Sequence, residues 1–313
     1  MSIGLDRMPP EIEHSQRLFV SENRSEPVGL EPHFEDVQAH YDLSDDFFAL
    51  FLDPTRTYSC AYFERDDMTL EEAQLAKVDL SLGKLGLQPG QTLLDIGCGW
   101  GTTIVRALER YDVNVVGLTL SRNQQAHVQQ RLDEHPTTRS KRVLLRGWEQ
   151  FDEKVDRIVS IGAFEHFGRD RYPDFFKMAY EALPADGVMM LHTIIQPSGE
   201  EFAERGLPIT MTKLRFMKFI MDEIFPGGAL PAAKTVVEHA ERAGFGVKLV
   251  QPLRLHYART LDTWASALES RRDEAIAIQS QEVYDRYMKY LTGCADLFRE
   301  GYTDVAQFTL TKG

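Results

Sequence analysis

The chain has 313 residues, of which 43% are hydrophobic and 27% charged, so it is long enough to bury a sizeable core. Its formal net charge of −13 argues against a phosphate-backbone partner, because nucleic-acid-binding proteins usually carry a strongly basic face. Three scattered cysteines without a CxxC pair indicate neither a disulfide framework nor a zinc site. No apolar stretch is as long as a membrane span and no signal pattern opens the chain, so we expect a cytoplasmic protein without a bound metal.

The order of predicted elements indicates one α/β domain after an N-terminal extension. Residues 1–33 are rich in Glu, Pro and Ser, which is typical of a mobile segment. Residues 34–87 have a helical pattern and are predicted to form a helical cover, in which residues 69–72 (TLEE) open a helix as a capping box. Short apolar runs then alternate with helical stretches, which predicts βαβ units. The predicted strands lie at residues 92–96, 113–118, 143–145, 157–161, 188–194, 247–250 and 306–311.

This pattern predicts a Rossmann-like, seven-stranded, mostly parallel sheet with helices on both faces. Residues 88–195 would form a cofactor-binding core and residues 246–313 the C-terminal helices and strands. Between them, residues 196–245 are rich in Met, Phe and Ile at helical spacing. Because this insertion follows the fifth strand, at the edge where open α/β sheets bind ligands, we predict a helical lid. Its apolar stripe at 213–225 would form one wall of a substrate channel, and plain helix core is the alternative.

The most specific local motif is LDIGCGWG at residues 94–101. The first predicted strand ends at Asp95, and Gly97, Gly99 and Gly101 follow at alternate positions. Glycines let the backbone approach a ligand closely and turn into a helix whose first amides face that ligand. The spacing GxGxG after an acidic residue is found in S-adenosylmethionine methyltransferases, whereas dinucleotide-binding proteins have GxGxxG. We therefore predict a class I methyltransferase.

Further predicted cofactor contacts follow the next two strands. No carboxylate ends the second strand, where many methyltransferases bind the ribose hydroxyls. Gln124 is the candidate substitute, beside Thr119 and Leu120, and an ordinary surface glutamine is the alternative. After the third strand, Trp148 and Glu149 offer an aromatic plane and a hydrogen-bonding group that suit adenine. The alternative for this pair is a buried tryptophan beside a solvent-facing glutamate.

At this point the chain resembles a known family, the mycolic acid cyclopropane synthases. The resemblance covers the chain from about Phe34 to the C-terminus. It implies methyl transfer from S-adenosylmethionine to a cis double bond of a very long acyl chain, followed by proton loss that closes a cyclopropane ring, as in a cyclopropane-fatty-acyl-phospholipid synthase. The motifs that carry it are residues 58–63 (YSCAYF), 94–101, 162–167 (GAFEHF), 223–228 (EIFPGG), 256–261 (HYARTL) and 290–294 (YLTGC).

The resemblance also implies a base for the proton loss, a hydrogencarbonate ion. His and Tyr side chains can donate hydrogen bonds to an oxyanion, whereas an ionised Glu can accept one from its OH group. Backbone amides around Ile161 and Ile194 would help to hold the ion. The residues that match this site are Cys60, Glu165, His192 and Tyr257.

Each of these four residues has a structural alternative when it is taken singly. Cys60 suits a small buried apolar position, which is common for a free cysteine. His192 suits a core histidine with satisfied hydrogen bonds, and Tyr257 suits simple packing. Glu165 suits an ion pair with Arg169 on a helix surface.

Other residues receive roles from the resemblance alone. Tyr58 and Ser59 match cofactor-contact positions, and with Tyr41 they would cover the donor, where aromatic faces attract a sulfonium cation. The backbone at Ile161 is a further predicted cofactor contact. Cys294 lies in a family motif and is a candidate catalytic residue.

The residue at position 162 bears on the product. Hydroxylating members of the family carry an acidic residue there, where a carboxylate could orient water toward the cation, so Gly162 favours ring closure. The alternatives are water capture, which gives a hydroxylated methyl-branched mycolate, and a non-catalytic lipid-binding protein with this fold. Charge and the lack of an aromatic-Pro-Pro-aromatic motif disfavour a nucleic-acid methyltransferase.

Basic clusters on this acidic protein indicate a partner. If the acyl chain arrives on an acyl carrier protein, local positive charge would bind that acidic carrier. Peripheral contact with a membrane is a further expectation. The basic residues concerned are Lys213, Arg215 and Lys218 in the lid and Arg139, Lys141 and Arg142 elsewhere.

Overall fold

Seven strands form one sheet in the order β3-β2-β1-β4-β5-β7-β6, and only β7 runs antiparallel to its neighbours. The computed structural model describes residues 44–313, so Tyr41 and the predicted extension at 1–33 lie outside the described residues. The predicted seven-stranded, mostly parallel sheet is confirmed, and every predicted apolar run overlaps a strand. The strands are β1 (Thr92–Ile96), β2 (Asn114–Thr119), β3 (Lys141–Leu145), β4 (Arg157–Ile161), β5 (Val188–Ile195), β6 (Phe245–Pro252) and β7 (Asp304–Lys312).

Burial explains why the central strands read as continuous apolar runs. Nearly every residue of β1, β4 and β5 is buried, as expected for parallel strands with helices on both faces. The edge strand β6 is mostly exposed. The helices are α1 (Asp45–Phe48), α2 (Leu70–Gly83), α3 (Thr102–Tyr111), α4 (Arg122–Glu134), α5 (Tyr172–Ala182), α6 (Gly199–Glu204), α7 (Met211–Phe219), α8 (Ala233–Arg242), α9 (Arg254–Ser270), α10 (Arg272–Ile278) and α11 (Gln281–Glu300).

The capping box that opens α2 is present. The Thr69 hydroxyl accepts from the amide of Glu72 at 3.2 Å, and the Glu72 carboxylate accepts from the amide of Thr69 at 2.8 Å. Two otherwise unsatisfied amides at the start of the helix are thus bonded, which is the physical reason that this pattern marks a helix start.

The predicted helical cover is helical only in part. Between α1 and α2, residues 49–69 form turns and irregular chain, so the motif at 58–63 does not lie on a helix. Side chains of other helices hold this segment instead. Gln74 of α2 donates to the Ser59 carbonyl at 2.8 Å, and Thr260 of α9 accepts from the Ala61 amide at 3.0 Å. The apolar spacing predicted a helix here, but these side chains are buried against α9 and α11 while their own backbone is irregular.

Buried aromatic side chains fill the space between this irregular segment, α9 and α11. We call this set the aromatic cluster, and its members touch in edge-on and tilted pairs with ring centroids 4.6–6.4 Å apart. Such geometry is favourable for aromatic rings. The cluster comprises Phe47, Phe48, Phe51, Tyr58, Tyr257, Trp264, Tyr287, Tyr290 and Phe298.

The segment after β5 contains α6, α7, a π-helical turn at Ile220–Ile224, and α8. Phe219 and Ile224 are buried against the aromatic cluster, whereas Met211 and Met221 are 62% and 36% exposed. Phe219 and Ile224 of the predicted stripe at 213–225 therefore face inward, whereas Met221 of the same stripe does not, and Met211 precedes it. Within residues 44–313, no helix is both long and apolar enough to cross a membrane. The cytoplasmic location stays a prediction.

Candidate functional site

A pocket opens where β1, β2, β3 and β4 end, at the edge of the sheet where α/β folds bind ligands. The predicted cofactor residues in its wall are Gly97, Gly99, Thr119, Leu120, Gln124, Trp148 and Glu149. Residues without a predicted cofactor role also line the pocket, and these are Ile96, Leu118, Arg146, Gly147, Gly162, Ala163, His166 and Phe167.

The glycine loop leaves room for a ligand at one position and packs tightly at two others. Gly99 has a φ of +52°, and a Cβ there would meet no atom within 4 Å. A Cβ on Gly97 would lie 2.5 Å from the Cβ of Ala163. A Cβ on Gly101 would lie 2.9 Å from a methyl of Val128 on α4. Gly101 therefore allows close packing of α4 and is not among the residues of the pocket wall, and its contact with the cofactor stays a prediction.

Gln124 is a pocket residue and not an ordinary surface glutamine. It is 6% exposed, and its Oε1 accepts from the Thr119 hydroxyl at 2.8 Å. This bond occupies the carbonyl end of the amide and keeps the side chain beside the end of β2. The position suits the role predicted for Gln124 in binding ribose hydroxyls.

Glu149 is buried in the pocket wall, which rules out a solvent-facing glutamate. Only 4% of its side chain is exposed, and its carboxylate forms an ion pair with the Arg171 guanidinium at 3.0 Å. The same guanidinium lies 5.8 Å from the Trp148 ring centre. The sequence argument missed Arg171, which directly precedes α5 and carries no motif of its own.

Asp95 is the next-to-last residue of β1, just before the glycine loop, but it does not line the pocket. It is 2% exposed, and its Oδ2 has no hydrogen-bond partner within the described part of the chain. Burial raises the pKa of Asp95 to about 7, although the positive charge of Lys77 acts in the opposite direction.

Ser59 lies beside the pocket, whereas Tyr58 turns away from it. A Cβ on Gly162, which lines the pocket, would be 3.6 Å from the Cβ of Ser59, and the Ser59 hydroxyl accepts from Lys77 at 2.9 Å. Tyr58 donates its hydroxyl to that of Tyr290 at 3.1 Å, inside the aromatic cluster. Ile161 ends β4 and pairs with His192, outside the pocket wall.

Glu165 lies in a short 3-10 turn (Phe164–His166) beside the pocket, and its side chain is turned inward. It is 7% exposed, and its Oε1 accepts from the Ile194 amide at 2.6 Å. The predicted alternative, an ion pair with Arg169 on a helix surface, is therefore wrong. The Ile194 amide itself donates to Glu165, and the expectation that amides around Ile161 and Ile194 help to hold an anion stays a prediction. Burial raises the pKa of Glu165, while the Ile194 amide and the nearby Thr193 hydroxyl act in the opposite direction. By geometry, its Oε2 has no hydrogen-bond partner among residues 44–313.

His192 lies in the middle of the sheet, on β5, and is 1% exposed. Its Nδ1 is 3.2 Å from the side-chain nitrogen of Gln307 on β7, while its Nε2 has no partner in the described structure. Burial, with the positive charges of Lys77 and Lys84, lowers the pKa of His192 well below its usual value. The imidazole is therefore neutral, with one nitrogen held and the other available.

The hydrophobic core around the aromatic cluster contains the other three predicted catalytic residues, Cys60, Tyr257 and Cys294. Burial, followed by the charges of Tyr290, Cys60, Glu165 and Cys294, raises the pKa of Tyr257 well above its usual value. These groups are therefore electrostatic neighbours. Burial also raises the pKa of both thiols far above neutrality, so neither is a thiolate nucleophile or a base at pH 7. Cys60 donates to the Ala61 carbonyl at 3.2 Å.

A polar row along one face of α2, continued by Lys84 directly after the helix, was not predicted from the sequence. Lys77 is 1% exposed, Ser81 is fully buried and Lys84 is half-buried. The spacing i, i+4 and i+7 places the three on one helix face. A lysine on the buried face of an amphipathic helix is rare, and that pattern is the signal that could have identified it.

The sheet order and the pocket with its glycine loop define the class of protein, a class I methyltransferase that uses S-adenosylmethionine. A profile of the family described as mycolic acid cyclopropane synthetase matches residues 29–308, and the chain belongs to that family. The resemblance seen in the motifs is confirmed.

Individual relatives are similar along nearly their whole length. Cyclopropane mycolic acid synthase 3 of Mycobacterium tuberculosis is 70% identical over 285 residues, which cover 91% of this chain and 99% of the relative. The solved structure of the cyclopropane synthase MmaA2 from Mycobacterium tuberculosis matches with a TM-score of 0.89 and 67% identity, covering 90% of this chain and 99% of that one. The mycolic acid cyclopropane synthase CmaA1, crystallised with SAH and CTAB, matches with a TM-score of 0.87, 68% identity and the same coverage.

Proposed function

We propose that this methyltransferase converts a cis double bond of a mycolic acid precursor into a cyclopropane ring. The observation that carries the proposal is a pair of buried, unpartnered groups near the cofactor pocket, Nε2 of His192 and Oε2 of Glu165, neither of which has a partner within residues 44–313. Relatives named cyclopropane mycolic acid synthases support the substrate and the product.

The reaction balances as an addition of CH2 to the alkene. S-adenosylmethionine supplies the methyl group as an electrophile. The alkene electron pair bonds the methyl carbon, sulfur keeps the electrons of its broken bond, and a cation remains on the other alkene carbon. Removal of a proton from the new methyl group lets that C–H electron pair close the ring. The protein must align the alkene and exclude water that would capture the cation.

The unpartnered groups fit a hydrogencarbonate ion, which would supply the base when bound. A neutral His192 with its proton on Nε2 donates a hydrogen bond, and an ionised Glu165 accepts one. The Ile194 amide, by donating to Glu165, favours the ionised carboxylate against the cost of its burial. Tyr257 supplies a second donor because its raised pKa keeps the hydroxyl protonated.

The backbone connects the pocket wall to His192 and Glu165. The Gly162 amide donates to the His192 carbonyl at 2.9 Å, and Gly162 lines the cofactor pocket. Glu165 and the pocket residue His166 share one turn. Gly162 has a φ of +66°, where a side chain is strained, and glycine leaves no carboxylate there to orient water. This arrangement supports ring closure over water capture.

Mass spectrometry of acyl products tests the proposal. The protein is incubated with methyl-labelled S-adenosylmethionine and mycolic acid precursors that contain cis double bonds. We expect a gain of one CH2 without an added water. A gain of CH2 plus water would indicate the hydroxylated methyl-branched product, and no gain by a protein that binds S-adenosylhomocysteine would indicate a non-catalytic lipid-binding role. Gly99→Val is the negative control, since its side chain would occupy the space beside the loop.

An acyl carrier protein is the proposed source of the acyl chain, and Arg215 is the basic residue best suited to bind it. Lys213 pairs with Glu300 at 2.6 Å, and Lys218 pairs with Asp222 at 2.7 Å. Arg215 is exposed on α7 and has no ion pair with any described residue. Arg215→Glu should weaken carrier binding at low salt, whereas Lys234→Glu on α8 should not. Equal affinity of the two variants would remove Arg215 from the proposal.

A further inference from the structure

A row of hydrogen-bonded polar side chains leads from the end of α2 to Nδ1 of His192. Lys84 donates through Nζ to Oε1 of Gln307, and Gln307 Nε2 lies 3.0 Å from the Ser81 hydroxyl and 3.2 Å from His192 Nδ1. Gln307 itself is fully buried on β7, directly opposite His192 on β5. The row connects the half-buried Lys84 to the imidazole through one amide side chain.

The donor and the acceptor of each hydrogen bond in this row follow from the chemistry of Lys84 and Ser81. Burial lowers the pKa of Lys84 to about 8, so at pH 7 it is mainly an ammonium group, which can only donate, and the Gln307 atom that faces it must be the carbonyl oxygen. The Ser81 hydroxyl donates its one hydrogen to the Lys77 carbonyl at 2.7 Å, so it must accept from Gln307. Two independent partners therefore orient the amide with its NH2 group toward Ser81 and His192. The flipped amide would place donor against donor at Lys84.

The orientation of the Gln307 amide decides the tautomer of His192. An amide nitrogen can only donate, so His192 Nδ1 must accept, and the single proton of the neutral ring lies on Nε2. The charged groups that act on the ring are Lys77 on α2 and Lys84, which directly follows α2. Gln307 on β7 carries no charge, and the strand neighbour on β4 is the apolar Ile161. These neighbours disfavour an imidazolium, whereas the ionised Glu165 of the proposed site would favour a proton on Nε2.

We propose that Gln307, held by Lys84 and Ser81, is a positioning residue that keeps His192 as a neutral donor with its proton on Nε2, facing the hydrogencarbonate site. The inference rests on the proposed function for the identity of the ion. It goes beyond that function because it states that Gln307, on the last strand, determines which nitrogen of His192 faces the ion. Without Gln307 the proton can move to Nδ1, and Nε2 then presents a lone pair that repels an anion.

The test measures the tautomer directly by 15N NMR of histidine-labelled full-length protein with S-adenosylhomocysteine bound. The His192 signals are assigned by their loss in His192→Gln. We expect an unprotonated Nδ1 and a protonated Nε2 in the unchanged protein. Gln307→Met removes the donor and should mix the two tautomers, and Gln307→Glu should move the proton to Nδ1. Gln251→Met is the matched control, because Gln251 on β6 is the strand neighbour of Gln307 and does not touch His192.

A second variant covers the case in which Gln307→Met fails to fold. Lys84→Met combined with Ser81→Ala keeps Gln307 but removes both partners that orient its amide, so the amide can flip and the tautomers should mix there as well. An unchanged His192 tautomer in folded Gln307→Met, or in this folded double variant, would overturn the inference. So would a protonated Nδ1 in the unchanged protein.

Titration with sodium hydrogencarbonate separates this inference from the proposed function. We expect the salt to shift the Nε2 signal of the unchanged protein, with affinity about tenfold weaker in Gln307→Met, as when a buried polar group loses its partner. If the salt shifts nothing in any variant, the hydrogencarbonate site of the proposed function is wrong, and the tautomer signals still decide the role of Gln307. Equal affinity in Gln307→Met would count against Gln307.

Discussion

Arg171 and Glu149 form a buried ion pair of 3.0 Å at the wall of the cofactor pocket. The side chains are only 10% and 4% exposed, so water screens the pair weakly. Trp148 precedes Glu149 in sequence and its ring centre lies 5.8 Å from the Arg171 guanidinium, which places a charged acceptor and an aromatic plane at the same point of the pocket. A glutamate buried in this way is oriented by its arginine partner.

Removal of Arg171 should therefore weaken cofactor binding. In Arg171→Met, Glu149 becomes a buried carboxylate without its cation, a change that costs roughly 3–5 kcal/mol in comparable pairs. We expect the affinity for S-adenosylhomocysteine, measured by calorimetry, to fall by at least about tenfold. Arg169→Met, two residues away and bonded to the Leu230 carbonyl, is the control and should bind normally. Normal binding by folded Arg171→Met would show that this pair does not act on the ligand.

Asp95 should make cofactor affinity depend on pH near neutrality. Its pKa is raised to about 7, so the carboxylate that would attract the cationic donor is lost as pH falls through that value. Calorimetry between about pH 5.5 and 8.5 should show affinity decreasing toward low pH, with the profile flattened in Asp95→Asn. A profile in Asp95→Asn identical to that of the unchanged protein would exclude Asp95 as its cause.

The same residue should affect the free energy of unfolding with a definite sign. Because the native pKa lies above the ordinary 3.8, the native state holds the proton up to higher pH than the unfolded state. The native state thus binds more protons between about pH 4 and 7, and stability contributed by this group falls as pH rises through that window. Cofactor-free Asp95→Asn should consequently be more stable at pH 8, by an amount on the order of a few kcal/mol. Thermal unfolding at both ends of the window measures this, and equal melting temperatures at pH 8 would contradict it.

Glu165→Gln should separate donor binding from ring formation. The amide oxygen can still accept from Ile194, so the pocket and its affinity for S-adenosylhomocysteine should remain nearly unchanged. Loss of the charge removes an acceptor from the base site, and we expect ring formation to fall by about 100-fold, the lower range for acid–base groups. Glu181→Gln on the exposed face of α5 is the control. Equal turnover in Glu165→Gln would remove this residue from the mechanism.

Gly293 should control how the lid packs on α11. A Cβ at this position would lie 2.3 Å from the ring of Phe216 on α7, so Gly293→Ala must displace the ring. Overpacking of this kind costs about 1–3 kcal/mol, and hydrogen exchange in α7 should become faster. Binding of S-adenosylhomocysteine should be retained, and more water-capture product is expected.

Two further variants check the lid explanation. Phe216→Ala added to Gly293→Ala removes the clash, so exchange in α7 should no longer differ from that of Phe216→Ala alone. Thr292→Ala, on the exposed side of the same helix, should leave exchange in α7 unchanged. Slow exchange in Gly293→Ala, as in the unchanged protein, would show that the close contact does not hold the lid.

Local features of this chain were predictable because their causes are local. The strand before Asp95, the glycines after it and the capping box at Thr69 each depend on neighbouring residues and on backbone conformation. The pocket contacts of Gln124 and Trp148 followed from their places after predicted strands. The irregular path at 49–69 was not predictable, since it is held by side chains of α2 and α9 that no local pattern relates to it.

The amino-acid sequence alone determined the fold class, the glycine loop and the family, because apolar periodicity and turn chemistry act over a few residues. Tertiary structure alone decided which buried groups meet. The chain end returns as β7 between β5 and β6, and this places Gln307 opposite His192, 115 residues away. Arg171 reaches Glu149 in the same way, through the packing of the turn before α5. A buried polar group takes its protonation state from the partners that packing brings to it, and those partners lie far away along the chain.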